Sequence, residues 1–342
     1  MPATVQGRPF LKWAGGKRQL LPELRRYYPA SFGTYFEPFL GSGAVFFDLD
    51  AAGLLDSRPA MLTDTNPDVV GCYLAVRDRV DEVISHLRNL AEGHARGGAV
   101  HYYEVREARF NPWRRELFAA APPGTAPAYP VELAAMLIYL NRTGFNGLFR
   151  LNRRGGFNVP VGRYVNPKIC DEDTLRAAAA ALGRNGVTLK HESFDTAASR
   201  AQAGDFVYFD PPYAPLSATA RFTAYTADGF DDGAQQTLQR LMIELARRGC
   251  RVLQSNSTAP AIGRLYRRNE DVKAAGLRAL TVPARRAINS RAARRGAIRE
   301  YLITNLPARP AGRPHPVTRA THGRPRSDNG SGVDSTTYDP QV

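Results

Sequence analysis

Lysine is scarce in this 342-residue chain: Lys12, Lys17, Lys168, Lys190 and Lys273 stand among 46 basic residues, and the rest are arginine. Arginine beside abundant alanine is what a GC-rich genome produces, so arginine richness alone identifies no partner. The sign of the total charge does not depend on that bias. A net charge of +14 and a pI of about 10.0 point to a polyanion, either nucleic acid or an acidic membrane surface. Cysteine is nearly absent. Cys72, Cys170 and Cys250 lie far apart without a CxxC pair, which argues against a disulfide framework or a structural zinc site. The six histidines include no pair at ligand spacing, so no metal is expected. No apolar run approaches the ~20 residues that span a bilayer, and no signal peptide opens the chain. The expectation is a reduced, cytoplasmic protein that uses no membrane.

Hydrophobic residues make up 43% of the chain, enough for a sizeable core. Short β-branched and aromatic runs alternate with amphipathic stretches, the pattern of a parallel sheet with crossover helices. Strands are predicted at 34–38, 60–64, 187–191, 206–209, 251–255 and 300–305. Helices are predicted at 17–28, 44–52, 67–76, 78–91, 129–140, 171–181 and 233–247. The Gly- and Pro-rich segment 92–128 reads as irregular. The tail from Pro307 reads as disordered; it carries five Arg and three Asp, which leaves +12 on the part before it.

Between Asn141 and Pro167 the α/β alternation stops. NRTGFNGLFRLNRRGGFNVPVGRYVNP mixes Asn, Arg and Gly with Phe, Leu and Tyr and follows no period, so loops with a short hairpin are expected. Such a mixture suits a nucleic-acid reader, with Arg and Asn for base edges and aromatics to stack or wedge. A polar insertion packed on its own aromatics has the same composition.

Three motifs carry chemistry. In TYFEPFLGSGAVFF a strand ends near Pro38, Gly41 and Gly43 permit a tight turn, and a helix follows. Strand, glycine loop and helix together hold a nucleotide-like cofactor. Asp64, 23 positions after Gly41, is placed to accept hydrogen bonds from ribose hydroxyls. Phe46 occupies the place where a dinucleotide site wants a third glycine, and no GxxxxGK[ST] is present. An apolar loop beside Glu37 instead suits a nucleoside with a charged amino-acid tail, the shape of S-adenosylmethionine.

In FVYFDPPYAPL a hydrophobic strand runs into Asp210, and Pro211 and Pro212 lock the backbone as it leaves the sheet. The Asp210 and Pro211 carbonyls and the Asp210 carboxylate are then available to hold an NH2 group by its two hydrogens and push electron density onto its nitrogen. Tyr213 is placed to stack on a base. Alone, Asp-Pro-Pro is an ordinary turn; after a buried strand and downstream of a glycine loop it reads as a site. The third motif, FLKWAGGKR, offers the flat face of Trp13 and the cation of Lys17, or simply an anchored helix start.

In the order FLKWAGGK, FEPFLGSG, TDTNPD, NRTGFNGL, FNVPVGRY, DPPYAPLS and FTAY, the stretch from Pro9 to Asn305 resembles the Dam family of DNA adenine-N6 methyltransferases (the D12 class, alpha group). That resemblance implies an α/β, Rossmann-like S-adenosylmethionine-dependent methyltransferase fold with an inserted, mostly helical and loop target-recognition domain. The implied divisions are 1–76 and 169–306 for the catalytic domain, 77–168 for the DNA-reading insertion and 307–342 for a basic tail. It implies that Trp13, Lys17, Glu37, Asp64 and Asp210, with Pro38, Phe39, Gly41, Ser42 and Gly43 beneath and Phe194 against the adenine, bind S-adenosylmethionine. Asp210, Pro211, Pro212 and Tyr213 would hold the flipped target adenine. Lys12, Asn141, Arg142, Phe145, Asn146, Leu148, Arg150, Asn158 and Arg163 would contact double-stranded DNA, with GATC the family's usual site. A monomer on DNA is implied, and a cognate restriction endonuclease is a further partner in a restriction-modification setting. Phe145 stands where relatives often have Tyr, Gly156 replaces an acidic residue, and the Pro-rich stretch 121–130 has no counterpart.

Other classes fit less well. A cytosine-C5 methyltransferase needs a Cys nucleophile after Pro, yet Gly71, Ile169 and Gly249 precede the cysteines. A cytosine-N4 or other exocyclic-amine methyltransferase shares the Asp-Pro-Pro-Tyr logic, and a catalytically inactive DNA-binding relative remains the non-enzymatic alternative. An NAD dehydrogenase lacks both the third glycine and a catalytic His.

Overall fold

The computed structural model describes residues 6–13, 15–122, 125–214, 230–284 and 298–309. Its centre is a seven-stranded sheet in the order β3-β2-β1-β4-β5-β7-β6. The strands are β1 (Tyr35–Glu37), β2 (Ala60–Asp64), β3 (Val187–His191), β4 (Phe206–Phe209), β5 (Arg251–Ser257), β6 (Arg278–Ala284) and β7 (Ile298–Thr304). All neighbouring pairs are parallel except the two that β7 makes with β5 and β6. β4 is a continuous apolar run and β1 is buried throughout because both faces of a central parallel strand are covered. Phe206 and Tyr208 face one core with Phe46 and Leu253, while Val207 and Phe209 face the other with Leu238 and Met242.

The first core is covered by α1 (Leu21–Leu24), α2 (Ala44–Ala51), α3 (Pro67–Asp78), α4 (Val80–Glu104), α5 (Asn111–Ala120), α6 (Val131–Thr143) and α7 (Glu172–Leu182). The second lies under α8 (Phe194–Ala198), α9 (Asp232–Arg247), α10 (Pro260–Tyr266) and α11 (Glu270–Ala274). Starts follow local chemistry. Asn66 accepts from the Asp68 and Val69 amides ahead of Pro67, so α3 begins there. Among the described residues no helix is long and apolar enough to cross a membrane.

Three expectations need correction. The predicted helix 17–28 breaks into a 3₁₀ turn (Lys17–Gln19), α1 and a second 3₁₀ turn (Arg25–Tyr27). Pro22 sits in the first turn of α1 and Tyr28 turns extended before Pro29, so a continuous helix is blocked at both points. The segment 92–128 is largely helical: α4 runs to Glu104 with a kink at Gly98 (φ 50°), a π-type turn spans Val105–Phe110, and α5 follows. Burial of Tyr102, Val105 and Phe110 in the first core overrides the glycines' preference for loop. β6 is a strand beyond those predicted; it carries Pro283, but lies on the edge, where the missing N–H is tolerated. The predicted disordered tail beyond Arg309 and the FTAY motif lie outside the described residues.

Candidate active site

The chain builds β1, β2 and β3 outward, then crosses back to lay β4 beside β1. That reversal is the topological switch point, where a crevice opens beyond the strands' carboxyl ends. With Tyr35 opposite Phe206 in register, β1 delivers Glu37 and β4 delivers Asp210 to the same crevice.

Leaving β1, buried Pro38 leads into the glycine loop. Gly41 and Gly43 take positive φ, 47° and 63°. A Cβ on Gly41 would also lie 2.8 Å from the Trp13 ring, so both backbone shape and the indole require glycine. Asp64 fixes the loop from the end of β2. Its carboxylate accepts from the Gly41 amide and, in the loop after β2, from the Asn66 amide, each at 2.8 Å. Ser42 is buried, and its hydroxyl faces Gly16. Glu37 is 2% exposed; one carboxylate oxygen accepts from the Tyr35 hydroxyl at 2.8 Å and from the Phe46 amide at 2.9 Å. It therefore caps the first turn of α2. Burial, with the nearby Asp210 and Asp64 carboxylates, pushes its pKa up to about 8.

Asp210 receives the buried Lys17 ammonium at 2.6 Å and the Ser255 hydroxyl at 3.0 Å. Ser255 lies 2.9 Å from the Tyr208 hydroxyl, so a hydrogen-bonded chain runs from β4 through β5 back to the carboxylate. Burial raises the Asp210 pKa, and Lys17 opposes it. Lys17 also donates to the Gly15 carbonyl and lies over the Tyr213 ring, 4.6 Å from its centroid. Gln235 of α9 donates to the Pro212 carbonyl and Ser257 to the Ala214 carbonyl, which clamps the turn on both sides. Aromatic walls flank the crevice. Trp13 stacks on Phe149 at 5.7 Å, and Phe39 stacks on Phe194 at 5.2 Å with Phe230 edge-on to it.

The stretch after α6 is a hairpin-like loop with bridges Gly144–Val161 and Leu151–Phe157. At its base, next to the Gly144–Val161 bridge, Phe145 is 45% exposed, beside exposed Asn146 in the left-handed region at φ 54°. Lys12 reaches the same end: its ammonium donates to the Arg142 carbonyl at 3.3 Å and lies 4.0 Å from the Tyr164 ring centroid. Burial and Arg142 lower its pKa. Arg150 pairs with Asn158 across the hairpin at 2.7 Å, Arg163 is exposed, and Leu148 leans half-buried on the core. Asn141 does not join this surface. It is 2% exposed, and its amide group accepts from the Lys12 amide while donating to the Lys12 and Gly147 carbonyls. Geometry makes it a clamp beneath this end of the hairpin. Arg142 is likewise half-buried, and burial lowers its pKa.

Several residues here carry no motif. Arg114 of α5 grips the buried Asp68 carboxylate at 2.7 Å and donates to the Gly155 carbonyl of the hairpin turn at 2.7 Å. Asn111 pairs with both backbone groups of Phe157, and Arg106 and Tyr102 donate to the Val159 carbonyl. Helices α4 and α5 thus hold the hairpin. In the crevice, Tyr208, Ser255 and Glu300 were not foreseen. A signal existed for Ser255: the polar run Gln254-Ser255-Asn256 sits fully buried inside a strand, which needs a reason. Among the described residues no three His, Cys, Asp or Glu side chains gather where a metal ion could sit.

A sheet that among the described residues is parallel but for the reversed strand β7, with its polar groups gathered at the β1/β4 switch, has the Rossmann-like methyltransferase fold. The chain belongs to the D12 class N6 adenine-specific DNA methyltransferase family, which residues 13–280 match. It is 36% identical over 298 residues to the type II methyltransferase M1.LlaDCHI of Lactococcus lactis subsp. cremoris, covering 87% of this chain and 95% of that protein. It is 35% identical over 312 residues to the type II methyltransferase M.MjaIII of Methanocaldococcus jannaschii, covering 88% and 100%. The DNA adenine methylase of Escherichia coli K12 is 35% identical over 302 residues, covering 88% and 96%. The chain is a DNA methyltransferase of the adenine-specific class.

Proposed function

We propose that the chain transfers a methyl group from S-adenosylmethionine to N6 of an adenine flipped out of duplex DNA, within GATC. The observation that carries this is the meeting of the Glu37, Asp64 and Asp210 carboxyl groups at one switch point, with the Lys17 ammonium on Asp210. Three carboxyl groups against one ammonium favour a cationic guest. S-adenosylmethionine is such a guest, and when bound it supplies a sulfonium methyl group open to nucleophilic attack. Asp64 suits the ribose hydroxyls, Glu37 the ammonium of the amino-acid tail, and the Phe39–Phe194 stack the adenine ring.

The exocyclic amine of adenine is conjugated with its ring and weakly nucleophilic. Acceptors on both its hydrogens raise electron density at nitrogen, and the Asp210 carboxylate with the Asp210 and Pro211 carbonyls suits that task. Because Lys17 and Ser255 fix Asp210, it holds the amine in place more than it removes a proton. Rotating the base out of the duplex costs a few kcal/mol. The exposed Phe145 ring is suited to fill the gap, with Lys12, Asn146 and Arg150 beside it for base edges.

The test is Asp210→Ala. Incorporation of tritiated methyl groups into duplex DNA should drop about 100-fold or more, while DNA retardation in gels stays near wild type. An active Asp210→Ala protein would sink the mechanism.

A further inference from the structure

Tyr213 is held at three places, and one of the holding groups lies outside every motif. Its backbone is fixed by Pro211 and Pro212, by Gln235 on the Pro212 carbonyl and by Ser257 on the Ala214 carbonyl. Its ring faces the Lys17 ammonium. Its hydroxyl donates to Glu300 Oε2 at 2.7 Å. Glu300 comes from β7, the reversed strand, where it pairs in register with Ser257 of β5 and Val282 of β6. A strand on each side therefore fixes the position from which this carboxylate reaches the turn.

The second torsion of a tyrosine is broad, so fixing the backbone does not fix the plane of the ring. A hydrogen bond to an ionised acceptor is about twice as strong as a neutral one and adds that missing restraint. We infer that Glu300 is a positioning residue for methyl transfer: it sets the plane of the Tyr213 ring against which the acceptor base is held. It acts through the phenol and touches no reacting atom. The inference rests on Tyr213 facing the acceptor base, as proposed above.

A double-mutant cycle on single-turnover methyl transfer to duplex DNA tests it, with S-adenosylmethionine affinity measured alongside. Glu300→Ala should slow transfer about 10-fold while cofactor affinity stays within about twofold. Glu300→Gln keeps an oxygen acceptor for the phenol and should recover to within about threefold of wild type. In a Tyr213→Phe background, which has no hydroxyl to hold, Glu300→Ala should cause no further loss. Equal losses in both backgrounds, a Gln variant as slow as the Ala variant, or no loss at all would overturn the inference. A wild-type chain that leaves duplex DNA unmethylated would instead count against the underlying function, so the two failures are distinguishable.

Discussion

Glu37 meets two demands with one carboxyl group. It caps the α2 amides from a site with almost no solvent, and it faces the crevice where a cationic tail is proposed to bind. With a pKa near 8, set mainly by burial, it holds a proton at neutral pH in the free protein. Pairing with an ammonium requires the ionised form, so binding below that pKa must expel the proton. Cofactor affinity should then tighten by up to about tenfold per unit as pH rises from 6 toward 8, and level off above. Titration calorimetry across that range checks the slope, and Glu37→Gln should flatten it. A wild-type affinity independent of pH would remove Glu37 from the ammonium site. Lys17 shows the same economy: one ammonium neutralises Asp210, holds the Gly15 carbonyl and lies over the Tyr213 ring.

At the scale of elements, one strut joins the glycine loop and the hairpin. Asp64 holds the Gly41 amide, Asn66 starts α3, and Asp68 two residues later binds Arg114, which grips the hairpin at Gly155. Asp68 and Arg114 are both buried, so Arg114→Ala strands a carboxylate without its counter-ion and should cost about 3–5 kcal/mol. Thermal melting checks this, and the Michaelis constant for DNA should rise more than that for the cofactor. A melting point unchanged from wild type would contradict the strut. Neither this strut nor Glu300 was legible beforehand, for a common reason. Strands β2, β3 and β4 could be read from their short runs of β-branched, apolar and aromatic residues, and Asp210 from the prolines after it, because those signals are local. Arg114 sits in a segment whose glycines suggest loop, and Glu300 is a lone acid in a strand beyond a basic stretch. Their roles exist only once the sheet brings distant segments together. Asn141, which the resemblance implies as a DNA contact, lies buried beneath the hairpin, because sequence position alone does not show whether a residue faces solvent or braces its neighbours.

For the whole molecule, one crossover organises everything. Reversing direction after β3 sets Glu37 and Asp210 side by side, and the reversed β7 lets Glu300 reach the turn from the other flank. The hairpin that carries Phe145 is braced by α4 and α5, both grown from the same face of the sheet. A net charge of +14 suits the approach of a polyanion, and the crevice itself is acidic, which suits a cationic cofactor. The central claim is that these parts methylate adenine N6 in DNA. Incubating the purified chain with S-adenosylmethionine and unmethylated duplex DNA, then digesting the product to nucleosides for liquid chromatography with mass detection, tests it most directly. N6-methyladenine that appears only with the cofactor, and is lost in Asp210→Ala, is the predicted result; N4-methylcytosine, or no methylated base, would contradict it.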